Sequence, residues 1–156
     1  MDNIEFRDGT LDDIDVIINF SWRLCKFEST LISHFTPEYY LSGAFKELLT
    51  KQIVSENFKY TLAYSGNRPV GLMEAGLKEG YPFRKLSRAS LLQIFVLEEY
   101  RSRGIGKQFL ELIEEWAKEK GMQSIELNIA TNNPEADRLY ESFGYKDWEK
   151  SKEKLI

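Results

Sequence analysis

The first periodic signal in the chain is short, with Ile4 to Arg7 reading as a strand that Asp8-Gly9 closes. Thr10 followed three residues later by Asp13 has the spacing of a capping box, with Asp where Glu or Gln is commoner. Behind it Leu11, Ile14, Ile17, Ile18, Ser21, Trp22 and Cys25 keep helical spacing, which predicts a helix over residues 11–27. Thr36-Pro37 is a second start, with Thr at the N-cap and Pro at the first helical position, and its helix runs to Val54, softened near Ser42-Gly43. The period then falls to two. Phe58, Tyr60, Leu62 and Tyr64 alternate with Lys59, Thr61 and Ala63, a strand with two faces. Residues 65–68 are turn chemistry, and Pro69 to Leu77 is the hairpin partner. After a loop over 78–87 without period, Ser90 to Leu97 is apolar except for Gln93, as a strand buried on both faces would be.

A strongly amphipathic helix follows, with Phe109, Leu110, Ile113, Trp116 and Ala117 on one face, Glu111, Glu114, Glu115 and Lys118 on the other, and Gly121 as C-cap. Ile125, Leu127 and Ile129 alternate in a strand over 124–130. Asn133-Pro134 opens a short helix with Ala136, Leu139, Tyr140 and Phe143 on its apolar face, and Gly144 ends it. Tyr145 to Lys150 reads as a last strand, with a further fragment at 153–156. The order β-α-α-β-β-β-α-β-α-β is that of one α/β domain over residues 1–156.

Composition narrows the chemistry. A chain of 156 residues that is 42% apolar can fill one core. Cys25 is the only cysteine, so neither an internal disulfide nor a cysteine-rich zinc site is available, and no metal is expected. The net charge of -4 is uneven: residues 78–107 hold seven cations against three acids, a net of +4, which leaves -8 for the rest. An acidic protein with one basic stretch suits a small anionic ligand better than a long polyanion, so no nucleic acid is expected. The N-terminus lacks a basic and an apolar region, and no apolar run approaches the ~20 residues of a membrane span. The expectation is a cytoplasmic protein with no membrane partner.

The basic stretch centres on Arg101-x-x-Gly104-x-Gly106, between the buried strand and the amphipathic helix. Glycines there let the backbone approach an anion, the helix N-terminus adds favourable partial charge, and Arg101, Arg103 and Lys107 surround it. Two rival phosphate loops fail on detail. Gly106-Lys107 is followed by Gln108 rather than the Ser or Thr of a Walker A loop, and the third glycine of a dinucleotide fingerprint is replaced by Phe109. A plain glycine-softened turn with solvated arginines is the alternative.

This segment resembles motif A (Gln/Arg-x-x-Gly-x-Gly/Ala) of the GCN5-related N-acetyltransferase (GNAT) superfamily. Beginning 27 residues after Gly106, Asn133-x-x-Ala136-x-x-x-Tyr140-x-x-x-Gly144-Tyr145 resembles that superfamily's second signature, Asn-x-x-Ala-x-x-x-Tyr-x-x-x-Gly-Phe. The resemblance implies a mixed, mostly antiparallel sheet with splayed central parallel strands, flanked by helices. It implies acetyl-CoA as co-substrate, with its pyrophosphate on the amides of Arg101, Ser102, Arg103, Gly104, Ile105, Gly106 and Lys107. The pantetheine arm would lie between strands 90–97 and 124–130, pairing with backbone near Ile94, Phe95 and Val96. Tyr140 would be the general acid that protonates the departing thiolate, and Asn133 would orient that end of the site or contact CoA. Packing in the core is the other reading of Tyr140, which shares its face with Leu139 and Phe143.

The general base is open. An acceptor amine with a pKa near ~10 must lose a proton at neutral pH. Histone-acetylating relatives carry a Glu early on the buried strand, where this chain departs from the pattern with Ser90. Glu74, in an otherwise apolar strand, is the first candidate; a carboxylate facing water at a strand edge is the other reading, and a water chain to Glu98 or a backbone carbonyl is a further route. His34 in a loop and Cys25 on an apolar stripe read as structural. Phe35, Tyr39, Tyr40 and Phe45 suit either an acceptor pocket or helix packing, and Tyr81, Phe83 and Arg84 are weaker acceptor contacts by family analogy.

The expected activity is transfer of an acetyl group to a primary amine, on a small molecule or a peptide, by direct attack on the thioester. A non-catalytic acyl-CoA-binding or regulatory domain is the alternative. Residues 1–57 hold ten acids against five cations, which would attract a cationic acceptor if that surface faces the cleft. A homodimer is expected by analogy alone.

Overall fold

The computed structural model describes residues 3–78 and 80–156, so Met1, Asp2 and Glu79 of the sequence arguments lie outside the described residues. Strand β1 (Ile4–Asp8) leads into a 3-10 turn, Leu11–Asp13, and helix α1 (Ile14–Glu28). The capping box forms: Thr10 donates its N–H and its hydroxyl to Asp13 Oδ2 at 2.8 and 2.9 Å. Arg7 grips the same carboxylate with two guanidinium nitrogens at 2.8 and 2.9 Å, tying β1 to the start of α1.

The expected second helix is two elements. Pro37–Leu41 is a separate 3-10 turn, and α2 spans Gly43–Ile53 with Ser42 as its N-cap, its hydroxyl accepting from Phe45 N–H at 3.1 Å. The softening read at Ser42-Gly43 is therefore a true start, because a Ser side chain can satisfy one of the free amides of a new helix.

Strands β2 (Phe58–Ser65), β3 (Arg68–Lys78) and β4 (Arg88–Val96) follow as an antiparallel meander, then helix α3 (Ile105–Glu119), strand β5 (Ser124–Glu126) and helix α4 (Pro134–Ser142). The five strands lie in sequence order, and only β4 and β5 are parallel. The mixed, mostly antiparallel sheet is therefore present.

Helices cover both faces of the sheet. Tyr60, Leu62, Leu72 and Phe95 share one face by register, and Phe20 of α1 meets Phe95 there with ring centroids 5.0 Å apart. On the other face Phe109 of α3 meets Phe6 edge-on at 5.3 Å. Gly71 stands beneath it, where an added Cβ would come within 3.1 Å of the Phe109 ring. Phe109, Ile113, Ile17, Leu49 and Leu72 are fully buried, each worth about 1.5–3 kcal/mol of transfer free energy.

The C-terminal expectations fail in an instructive way. Strand β5 stops at Glu126 instead of running to residue 130, and residues 145–150 and 153–156 form no strand. Tyr145 packs on Tyr140 at 5.8 Å, and Trp148 is exposed under the Arg84 guanidinium at 4.7 Å. Alternation alone does not make a strand, which needs a neighbouring backbone to complete the ladder. Among the described residues no helix is long and apolar enough to cross a membrane.

Candidate active site

The site begins with a strand that loses its neighbour. β4 pairs with β5 only from Arg88↔Ser124 to Ser90↔Glu126. One residue further, the β3–β4 register slips between Glu74↔Gln93 and Ala75↔Leu91, leaving Leu92 as the extra residue of a bulge. A bulge bends its strand and raises its local twist, which parts β4 from the line of β5. Ile94 to Val96 keep their partners on β3 and have none on β5 among the described residues.

Alternation decides which backbone groups face the opening. Leu97 N–H bonds to Val70 O at 2.9 Å, so residue 97 points toward β3 and residue 96 points away. Ile94 and Val96 thus present their backbone groups to the parted side, and Phe95 does not. Arg101 already uses one of them, its Nε donating to Val96 O at 3.2 Å.

The chain then turns through Glu98–Tyr100 into α3. Ser102 and Gly104 have φ of 58° and 82°, and the left-handed conformation at Gly104 is open to glycine at no steric cost. The first bond into the helix runs from Gln108 N–H to Gly104 O at 3.0 Å. The amides of Ile105, Gly106 and Lys107 precede it, free of any acceptor inside the helix and aligned with its positive dipole end.

These pieces surround one cavity of about 320 Å³. Ile94, Phe95 and Val96 form its strand wall, and Arg101, Ser102, Gly104, Ile105, Gly106 and Lys107 close one side. Asn133 and Tyr140 enter from α4, where the Asn133 Oδ1 also caps the helix by accepting from Ala136 N–H at 3.3 Å. Burial, helped by the charge of Glu28, pushes the Tyr140 phenol up to about 12, so it keeps its proton at neutral pH.

The model of the acetyltransferase (GNAT) family matches residues 22–145, the span that holds this cavity. The chain belongs to that family. N-acetyltransferase 8 of Homo sapiens is 30% identical over 99 residues, which take in 63% of this chain and 43% of the human protein. The spermine/spermidine N(1)-acetyltransferase of Bacillus subtilis is 34% identical over 89 residues, 50% of this chain and 59% of that protein. Both matches span less than two thirds of the relative's length. Among solved structures, the aminoglycoside acetyltransferase AAC(6')-Iy in complex with a bisubstrate analog superimposes with a TM-score of 0.74 at 16% identity, over 99% of this chain and 98% of the other. A tetramutant protein from Bacillus halodurans does so with a TM-score of 0.84 at 16% identity, over 97% and 99%. At such identities the likeness speaks for the fold.

Two expected site residues of this GNAT chain stand outside the cavity lining. Arg103 lies over the Tyr100 ring at 4.9 Å and is not part of the cavity lining. Glu74 is buried one register step beyond the wall, its Oε1 accepting from Tyr60 O–H at 2.9 Å and its Oε2 from the Gln93 amide. It does not face water at a strand edge, because the helices packed on that side of the sheet cover it. Burial pushes the Glu74 carboxyl up, against the opposing pull of Tyr60 and Gln93.

Leu24 and Phe27 of α1 also line the GNAT cavity, although sequence reasoning passed over them. A signal existed: Leu24 stands one turn beyond Phe20 and two beyond Ile17 on the buried stripe of α1, and Phe27 two turns beyond Phe20. Glu135, Ala136 and Leu139 complete the α4 wall.

Proposed function

We propose that this GNAT chain is an acetyl-CoA-dependent N-acetyltransferase acting on a primary amine by direct attack. The observation that carries this reading is that the anion-ready loop and a proton-bearing Tyr140 line the same cavity. Acetyl-CoA, as co-substrate, supplies a thioester carbon that an amine nitrogen attacks, with the C–S bond breaking to release the CoA thiolate.

The residues fit that co-substrate. The amides of Ile105, Gly106 and Lys107 suit a pyrophosphate, aided by Arg101 and Lys107. Leu24, Phe27 and Ile94 suit an apolar arm, and the free edge of β4 suits its amides. Val96 N–H, rather than that of Phe95, is placed to stabilise the developing oxyanion, because it points to the parted side. Tyr140 hands its proton to the leaving sulfur.

Glu74 takes the proton from the amine through a chain of water, since its carboxylate does not touch the cavity. A carboxyl raised by burial is a better acceptor near neutral pH than an ordinary one. Colorimetric detection of released CoA thiol across a panel of amines tests the reading. Turnover with at least one amine is expected; tight acetyl-CoA binding with no turnover on any would reduce the chain to an acyl-CoA-binding domain.

A further inference from the structure

Glu74 sits in a hydrogen-bond network with more acceptors than protons. Tyr60 on β2 stands opposite it in the ladder, and both side chains are buried. The Tyr60 hydroxyl lies 2.9 Å from Glu74 Oε1 and 2.9 Å from Oε1 of Gln52, a half-buried residue of α2. A phenol has one proton to donate, so it cannot serve both oxygens at once. With Glu74 charged, Tyr60 donates to the carboxylate, and the Gln52 amide turns to donate to the phenol oxygen. With Glu74 protonated, the acid donates to Tyr60 and Tyr60 donates to Gln52 Oε1. Each arrangement satisfies both contacts, and each needs a hydroxyl at position 60.

The other carboxyl oxygen is held from β4. In an unbroken ladder Leu92 would stand opposite Glu74; the bulge puts Gln93 there, and its amide donates to Glu74 Oε2. No Lys or Arg among the described residues pairs with Glu74. Tyr60 is the titratable group that touches it, and Tyr40 on the Pro37–Leu41 turn feels its charge. Burial and the Glu74 charge push the Tyr60 phenol well above its ordinary value, so it remains a donor and does not ionise.

We propose that Tyr60 is the positioning residue that lets the buried Glu74 hold either charge state, by turning its one proton between Glu74 and Gln52. This rests on Glu74 being the base of the transfer and names the group that readies it. The proton that Glu74 takes from the amine stays on Oε1 and is only shared, as a hydrogen bond, with the Tyr60 oxygen. No O–H bond breaks at Tyr60. Its stronger contact is with the carboxylate, because a hydrogen bond to a charged acceptor is about twice as strong as one between neutral groups.

The test follows the C=O stretch of the Glu74 carboxylic acid by infrared spectroscopy across pH, the band being assigned by its loss in Glu74→Gln. In Tyr60→Phe the carboxylate loses a donor, and the band is expected to titrate about one pH unit higher than in the wild type. An unmoved or lowered midpoint overturns the proposal. The acid limb of kcat at saturating amine is expected to shift with the band. An equal fall at every pH would mark a purely structural role and overturn it too. Where Tyr60→Phe does not fold, Gln52→Leu on the half-buried side of α2 reads the same relation in reverse. It removes the oxygen that receives the Tyr60 proton beside neutral Glu74, so the midpoint is expected to fall; an unmoved or raised one overturns the proposal. Full turnover in Glu74→Gln beside a shifted band would remove the base and leave the Tyr60 assignment standing, which keeps the two readings apart.

Discussion

Leu139 rests on Gly106: a Cβ added to the glycine would stand 3.1 Å from Leu139 Cδ2. The first turn of α3, with its free amides, and the helix that carries Tyr140 are therefore separated by a single hydrogen-bearing carbon. Gly106→Ala should leave stability almost level, because a gain of about 1 kcal/mol in helix propensity offsets the contact Leu139 must yield. The displaced α4 and the methyl group in the cavity should raise the KM for acetyl-CoA about tenfold, as small misplacements near a reacting group do. Thermal denaturation alongside steady-state kinetics checks both halves.

Tyr140→Phe removes one oxygen from a mostly buried ring and should leave the fold and acetyl-CoA binding intact. Turnover should fall at least tenfold, in keeping with the loss of a general acid whose contribution is about 10² or more. With burial holding the phenol at about 12, the wild-type kcat should show no loss from Tyr140 ionisation up to about pH 10. A pH–rate profile of both proteins would expose an earlier ionisation.

Glu74→Gln should divide stability from activity. The folded-state pKa of Glu74 lies above its ordinary 4.5, so the stability this group contributes is fully present below 4.5 and is lost as pH rises through the folded value. The variant carries no charge to lose, and its Tm advantage over the wild type should therefore grow from pH 4 toward pH 8. Its new amide also gives the buried, unpartnered Gln93 Oε1 a donor once the Gln93 amide rotates. Turnover at neutral pH should nevertheless fall. Calorimetry across pH, with amine turnover in parallel, reads both.

Asp13 works in the opposite direction. Burial pushes its carboxyl up, but the Arg7 guanidinium and the Thr10 N–H and hydroxyl outweigh it and hold the carboxyl at about 2, below its ordinary 3.8. Its contribution is present above 3.8 and is lost as pH falls through about 2. Asp13→Asn should destabilise the chain by about 1–3 kcal/mol at neutral pH, the cost of weakening a buried, charge-assisted network. The acid limb of the wild-type stability curve between pH 4 and 2 should flatten in the variant.

Local chemistry was legible wherever a residue acts on its own neighbours. The capping box at Thr10 and Asp13, the helix start at Asn133 and the amphipathic α3 follow from spacings of three to seven residues, and all are present. The same spacings in two signatures marked the family. Eleven of the expected site residues, from Ile94 to Tyr140, line one cavity.

What depended on distant partners could not be read along the chain. Whether residues 127–130 become strand depends on a backbone edge being in reach, and past the bulge at Leu92 β4 no longer pairs with β5. Gln93 looked like a break in an apolar run and is instead the partner of Glu74 across two strands. The basic stretch over residues 78–107 read as one anion site, yet the structure divides it. Lys78, Arg84 and Arg88 gather on Glu126, Arg103 turns to Tyr100, and Arg101 and Lys107 remain at the cavity. Charge along the sequence sums whatever the folded chain does with it; only tertiary contacts determine which charges neutralise one another and which are left for a ligand.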